Sequence, residues 1–202
     1  MKVALIGATG QAGSRLLAEL THRGHAVTAI ARNPEKAPKG PLVTAKTGDI
    51  HDPTALATAL AGHDAVISSV RFVDARPASL IGAVRASGVK RYLVVGGAAS
   101  LEVGPGVTLL STPQFPDAYK AEATAGAQHL AYLKSVDDLD WTFLSPSAMF
   151  VAGERTGVFR LGKDQLLANE KGSSISFEDY AIAMVDEIEK PAHLRQRFTV
   201  GY

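Results

Sequence analysis

Val3-Ala4-Leu5-Ile6-Gly7-Ala8-Thr9-Gly10-Gln11-Ala12-Gly13, continued by Ser14-Arg15-Leu16-Leu17-Ala18-Glu19-Leu20, sets an apolar run, a glycine turn and an amphipathic segment in direct succession. The order predicts strand, tight turn, helix. Such a turn aims unpaired backbone N–H groups and the positive end of a helix dipole at one point, an arrangement that suits a diphosphate. Each glycine has a mechanical role: a sharp turn, close approach of backbone to phosphate, and close packing of helix on sheet. The spacing is G-x-x-G-x-x-G, which departs from the usual G-x-G-x-x-G by one position. Gly7, Thr9, Gly10, Gln11, Ala12 and Gly13 are the candidate diphosphate contacts.

Outward from this stretch, apolar runs alternate with helical patterns, as in a parallel sheet with crossover helices. Strands are predicted at Lys2–Ile6, Ala26–Ala31, Leu42–Lys46, Ala65–Ser69, Arg91–Val95, Trp141–Leu144 and Arg197–Val200. Helices are predicted near Ala12–Arg23, Pro53–Ala61, Pro77–Ser87, Pro116–Ser135 and Phe177–Glu189. Asp52 before Pro53 reads as a helix cap, and Ser176-Phe177-Glu178-Asp179 as a capping box with Asp in the acidic position. Gly24, Gly62 and Gly88 each stand where a helix ends in a left-handed residue. Gly96–Phe115 is expected to be a long functional loop, and Phe150–Gly172 a hairpin or a pair of short edge segments. The fold expected is α/β: a Rossmann-like, doubly wound parallel sheet with helices on both faces and a small C-terminal portion on the substrate side. All 202 residues are expected to form one domain.

Composition narrows the partners. Lys plus Arg (21) nearly balances Asp plus Glu (20), so net charge supports neither a nucleic-acid partner nor a membrane surface. The absence of cysteine excludes disulfides and thiolate chemistry. No apolar stretch reaches membrane-spanning length, and a soluble cytoplasmic protein is expected, as a monomer or homodimer. The six histidines show no metal-ligand spacing; no metal is expected, and they read as surface or capping residues.

The second strand bears on cofactor choice. A carboxylate at its end holds the adenosine ribose of NAD(H) in many dinucleotide sites. Here the strand ends in Ala31-Arg32-Asn33-Pro34, with no acid in place. Arg32 is positioned to meet a 2′-phosphate, with Asn33 beside it and Arg15 and Lys36 adding charge nearby, so NADP(H) is favoured over NAD(H). Asp49 and Ile50, after the third strand, are expected beside the adenine. Ser68, Ser69 and Val70, at the end of the fourth, are expected along the cofactor's central portion.

In these segments the chain resembles the atypical short-chain dehydrogenases/reductases. More narrowly, it is similar to the small proteins named NADH-flavin reductases, relatives of the flavin/biliverdin-IX-beta reductases and of the NmrA-like NAD(P)H-binding proteins. The likeness continues through Gly88-Val89-Lys90-Arg91-Tyr92-Leu93-Val94-Val95-Gly96-Gly97-Ala98, Asp140-Trp141-Thr142-Phe143-Leu144-Ser145-Pro146, Gly153-Glu154-Arg155-Thr156-Gly157 and Ile175-Ser176-Phe177-Glu178-Asp179-Tyr180-Ala181. It implies a nicotinamide cofactor, with Gly96, Gly97, Ser145 and Pro146 in its site. Ser145 through Phe150 are expected to line the substrate side of the cleft.

The departure from the larger family is as informative. Its ordinary members reduce carbonyls with a Tyr-x-x-x-Lys pair on one helix face. Here Tyr119 and Lys120 are adjacent, about 100° apart on a helix, and the residue four before Lys120 is Pro116. The serine that often follows the fifth strand is replaced by Gly96-Gly97-Ala98-Ala99, with Ser100 coming later. Lys120, Tyr119 and Ser100 remain the polar candidates at the nicotinamide end. A flavin or quinone acceptor needs this machinery least, because the reduced ring is a delocalised anion that takes its proton from water; hydride transfer to such an acceptor is the activity expected. The alternatives are a non-catalytic NADP(H)-sensing regulator of NmrA type and, last, a nucleotide-sugar epimerase or dehydratase. Arg155 is open to three roles: an anion contact, a lid residue, or a partner of Glu154 or other neighbours in a turn.

Overall fold

The computed structural model describes residues 1–202. Seven parallel strands form the body of one sheet: β1 (Lys2–Ile6), β2 (Ala26–Ala31), β3 (Val43–Thr47), β4 (Ala65–Ser68), β5 (Arg91–Val95), β8 (Asp140–Pro146) and β12 (Gln196–Gly201). Short pieces complete the strand set: β6 (Glu102–Gly104), β7 (Val107–Thr108), β9 (Met149–Val151), β10 (Arg160–Gly162) and β11 (Ser174–Ser176). The sheet order is β10-β12-β8-β5-β4-β1-β2-β3, with β10 antiparallel at one edge. The order therefore reverses between β1 and β4, the place where such sheets leave a crevice at their carboxyl ends.

Helices α1 (Gln11–His22) and α5 (Phe177–Glu189) cover one face, and α2 (Pro53–Leu60), α3 (Pro77–Ala86) and α4 (Asp117–Leu133) the other. Successive residues of a strand point to opposite faces. Val3 and Leu5 accordingly pack with Leu16, Leu20 and Met184, while Ala4 and Ile6 pack with Leu56, Leu60 and Ile81. Burial on both sides is why the central strands are continuous apolar runs rather than alternating ones.

Local chemistry sets the element ends. Asp52 accepts from the Ala55 amide and Ser176 from the Asp179 amide. Gly24, Gly62 and Gly88 have φ of +82°, +78° and +80°. The capping box is half realised. Instead of reaching back to its cap, the Asp179 carboxylate accepts from the Thr156 hydroxyl (2.6 Å), the Gly157 amide (2.8 Å) and the Tyr202 hydroxyl (2.8 Å).

Two regions are more structured than the sequence pattern alone shows. Gly96–Phe115 is not a structureless loop: β6 and β7 pair within it, and Leu109 and Leu110 donate back to the carbonyls of Leu101 and Ala99. Phe150–Gly172 takes the second of the two expected forms, short edge segments, and its only internal antiparallel pairing is the tight Asn169–Gly172 bridge. Its β10 joins β12 at the sheet edge, Gln165 bridges to Glu102, and β9 pairs in parallel with β11. β8 also runs past Leu144 to Pro146, because β12 pairs with it as far as Val200 opposite Pro146.

Candidate functional site

The glycine turn occupies the crevice between β1 and β4. Gly7 has φ +82°, and a Cβ there would lie 2.1 Å from the Ser69 carbonyl oxygen. At Gly13 a Cβ would lie 2.1 Å from the Gly7 oxygen, and at Gly10 3.3 Å from the same atom. The glycines thus let the end of β1, the first turn of α1 and the residues after β4 close on one another. The Gly7 amide donates to Ile30 and the Gly10 amide to Gly7, but the amides of Thr9, Gln11, Ala12 and Gly13 donate to no protein acceptor. Gly10, at the helix cap, supplies no side-chain acceptor either. Thr9, Gly10 and Gln11 are exposed. A row of unpaired donors at a helix start, cleared of side chains, fits the diphosphate of a dinucleotide.

α1 is held firmly behind this turn. Arg15 pairs with Glu178 of α5 (3.0 Å), and Arg23 with Asp186 (2.7 Å) and Glu189 (2.9 Å). Glu19, only 4% exposed, receives Arg23 and, across 136 residues of sequence, the Nε and Nη2 of Arg155. The Arg155 hydrogen bonds hold its carboxyl below the usual range, against the opposing effect of burial. Arg155 is therefore a tether to α1 and not a partner of Glu154. Arg15, expected to add charge near Arg32, is engaged instead by Glu178 of α5.

On the adenosine side, Arg32 and Asn33 follow β2 and are exposed; the Arg32 side chain makes no ion pair or hydrogen bond within the protein. Lys36 is exposed in the next turn. Ile50 is half-buried against the core, and one Asp49 oxygen accepts from the His51 amide (2.9 Å).

On the other side of β1, Ser69 and Val70 flank Gly7, whereas the buried Ser68 hydroxyl is engaged with the Tyr92 hydroxyl (2.9 Å). Gly96 is buried where a Cβ would strike the Phe143 ring at 2.3 Å, and its amide donates to Leu144 O (2.9 Å). The Tyr180 hydroxyl donates to that same carbonyl (2.6 Å), and burial pushes its pKa well above the ordinary value. Gly97 is more open. Ser100 is half-buried, its hydroxyl accepting from Arg197 (3.3 Å).

Ser145, Pro146 and Ser147 do not line the cleft as expected. All three are buried, because β8 continues through Pro146 between β5 and β12. Met149 is exposed instead, and Phe150 packs its ring against Phe177 and Tyr180. Tyr119 is 65% exposed, and Lys120 is held by Asp117 at 2.6 Å.

Two residues that sequence reasoning missed connect α4 to this side. Glu122 accepts from the amides of Phe72 (2.7 Å) and Val73 (3.1 Å), and Phe72 lies buried against Gly126 and His129. A glutamate two residues after Lys120 carries no sequence signal of that distant partner. His129 also corrects the view of the histidines as surface groups. It is 1% exposed, neither ring nitrogen has a partner, and burial pulls its pKa down to about 4. His25 is buried as well, meeting Glu189 at 2.8 Å.

With this geometry in view, comparison with known proteins is decisive for the family. Residues 7–191 match the model of a family described as NAD(P)H-binding. The chain belongs to the NAD(P)H-binding family. Among solved structures, this family member is similar over its full length to a Burkholderia pseudomallei protein described as a "putative exported protein", with 49% identity, all of that chain covered and a TM-score of 0.89. A Bacteroides thetaiotaomicron protein described as a "putative epimerase" is 39% identical over all of this chain and 96% of its own, with a TM-score of 0.95. A Streptococcus pneumoniae protein described as a "putative NADH-flavin reductase" is 37% identical over all of this chain and 99% of its own, with a TM-score of 0.83. No helix of this NAD(P)H-binding protein is long and apolar enough to cross a membrane.

Proposed function

We propose that this protein is a NAD(P)H-dependent reductase that delivers a hydride to a flavin, a quinone or a similar planar acceptor. The observation that carries the reading is the start of α4. There the tyrosine stands in solvent, the adjacent lysine meets Asp117 on the helix surface, and no tyrosine–lysine pair shares a helix face. A carbonyl substrate would develop localised alkoxide charge in the transition state with no positioned tyrosine to stabilise it. A planar acceptor makes no such demand: it gains a hydride and takes a proton from water while the dihydronicotinamide is oxidised. The chain's work is then positional. The amides of the glycine turn hold the diphosphate, Ser69, Val70 and Gly97 lie along the nicotinamide half, and Ser100 is fixed by Arg197. Exposed apolar groups on the segments leaving β4, β5 and β8, namely Val73, Val103, Val107, Tyr119 and Met149, supply surface for a ring system.

Within this reading NADPH is preferred, because Arg32 is a free cation at the end of β2 with no carboxylate beside it to hold a ribose. The location is cytoplasmic, where reduced nicotinamide dinucleotides are regenerated, and the protein works as a monomer or homodimer. The test is loss of reduced-nicotinamide absorbance with FMN, riboflavin and simple quinones as acceptors. Protein-dependent turnover with at least one supports the reading, and none across the panel overturns it. In that event the missing tyrosine–lysine pair favours a non-catalytic NADP(H)-sensing role, which requires binding without turnover. The epimerase or dehydratase reading, which matches the name of the Bacteroides relative, lacks its proton-transfer tyrosine here for the same reason.

A further inference from the structure

The chain has eleven arginines, and eight of them engage an acid or a carbonyl oxygen within the protein. The three whose side chains engage nothing are Arg32, Arg71 and Arg76, and all three stand on segments leaving the carboxyl edge of the sheet. Arg32 follows β2, on the adenosine side of β1. Arg71 and Arg76 follow β4, on the opposite side, where the nicotinamide half of a dinucleotide and its reaction partner lie in this type of sheet.

Arg71 is the better placed of the pair. Val70 before it lies against the glycine turn, 3.5 Å from where a Gly7 Cβ would sit. Phe72 after it is buried under α4, with its amide fixed by Glu122. The backbone at Arg71 is thus pinned on both sides, next to the glycine turn through Val70 and next to α4 through Phe72, while the Arg71 side chain is exposed. Asp74, the nearest acid in sequence, is exposed and meets Arg71 only through its amide, which donates to the Arg71 carbonyl (3.2 Å). A guanidinium kept free at a fixed position presents a fork for an oxyanion.

We infer that Arg71 selects an acceptor bearing a compact oxyanion, such as a phosphate monoester, a carboxylate or a sulfonate, alongside its planar ring. This rests on the reductase reading and narrows its substrate class. The test uses matched pairs differing only in the anion, FMN against riboflavin and 1,2-naphthoquinone-4-sulfonate against 1,2-naphthoquinone. Binding is read by ligand fluorescence or thermal shift in the presence of NADP+, beside the steady-state KM with NADPH. The anionic member of a pair is expected to bind about 10-fold more tightly at low salt, with the ratio shrinking as salt is raised. Arg71→Gln is expected to abolish that ratio by weakening the anionic member alone, with NADPH affinity unmoved.

Equal affinities within the pairs in wild type would overturn the assignment while leaving the reductase reading standing. So would a ratio that survives Arg71→Gln, or an equal loss of NADPH affinity, which would place Arg71 on the cofactor. Failure of every acceptor to bind or turn over would overturn both. Because Arg71 is exposed and unpaired, an unchanged melting temperature in the variant verifies that the fold is intact.

Discussion

Gly7 and Gly24 share a φ of +82° but differ in surroundings, which allows the cost of filling the glycine turn to be separated from the cost of the backbone conformation. Alanine at either position meets the left-handed penalty of about 1 kcal/mol. At Gly24 nothing lies within 4 Å of the new Cβ, so that penalty is the whole expected effect. At Gly7 the Cβ would lie 2.1 Å from the Ser69 carbonyl oxygen, a backbone atom that can withdraw only if the end of β4 moves with it. Restoring ordinary contact requires a shift of more than about 1 Å, in the range where overpacking costs about 1–3 kcal/mol. Gly7→Ala should therefore lose about 3 kcal/mol and Gly24→Ala about 1 kcal/mol. At about 2–4 °C per kcal/mol for a chain of this size, the melting temperatures should fall by about 10 °C and about 3 °C. Thermal unfolding of both variants, repeated with saturating NADPH, measures stability and cradle geometry together. Gly24→Ala should keep the full NADPH-induced shift, and Gly7→Ala should lose most of it. Equal destabilisation, or wild-type NADPH affinity in Gly7→Ala, would refute the claim that the Gly7–Ser69 contact shapes the binding turn.

Other changes have equally definite outcomes. Arg32→Asp should weaken NADPH about 10- to 100-fold and leave NADH nearly unchanged, since a charge-assisted contact to the 2′-phosphate is replaced by repulsion; an unaltered ratio in binding titrations would remove Arg32 from cofactor selection. Glu187→Ala should cost about 3–5 kcal/mol, because the buried carboxylate accepts from Arg91 (2.9 Å) and His193 (2.8 Å), and Arg91 would be left as an uncompensated buried charge; a loss under about 1 kcal/mol in denaturant melts would mean that water reaches the site. His129, with a folded pKa of about 4 against an ordinary 6.5, takes up its proton more readily when unfolded. Stability is then lost as pH falls from about 6.5 to about 4, by about 3 kcal/mol in all, and His129→Leu should flatten that part of the profile relative to wild type. Parallel profiles for the two proteins would show that His129 does not titrate in this window.

The parts legible in the sequence are those fixed by local or strictly periodic chemistry. The central strands announce themselves because both of their faces are buried. Gly24, Gly62 and Gly88 mark helix ends because only a left-handed residue fits there. The glycine turn was readable for the same reason. What could not be read depends on partners far along the chain. β6, β7, β9, β10 and β11 are two or three residues each and exist only through the segments they meet. Asp179 had the spacing of a capping box, yet Thr156, Gly157 and Tyr202 claim its carboxylate. Ser145 and Pro146 looked like a strand end, and only the register of β12 shows that the strand continues. Within the candidate site, residues set by backbone geometry were foreseeable, whereas Phe72 and Glu122, which meet across 50 residues, were not.

The ion pairs that bind α1 to α5 and to Arg155 have a thermodynamic corollary for ligand capture. A helix anchored along its flank cannot slide or fray when an anion arrives at its leading end, so its donors stand ready in the geometry they keep throughout the encounter. Association should proceed as a rigid docking event with little entropy lost to the host, and severing the Glu19–Arg155 tether should show itself first as slower capture of the dinucleotide rather than as a failure to fold.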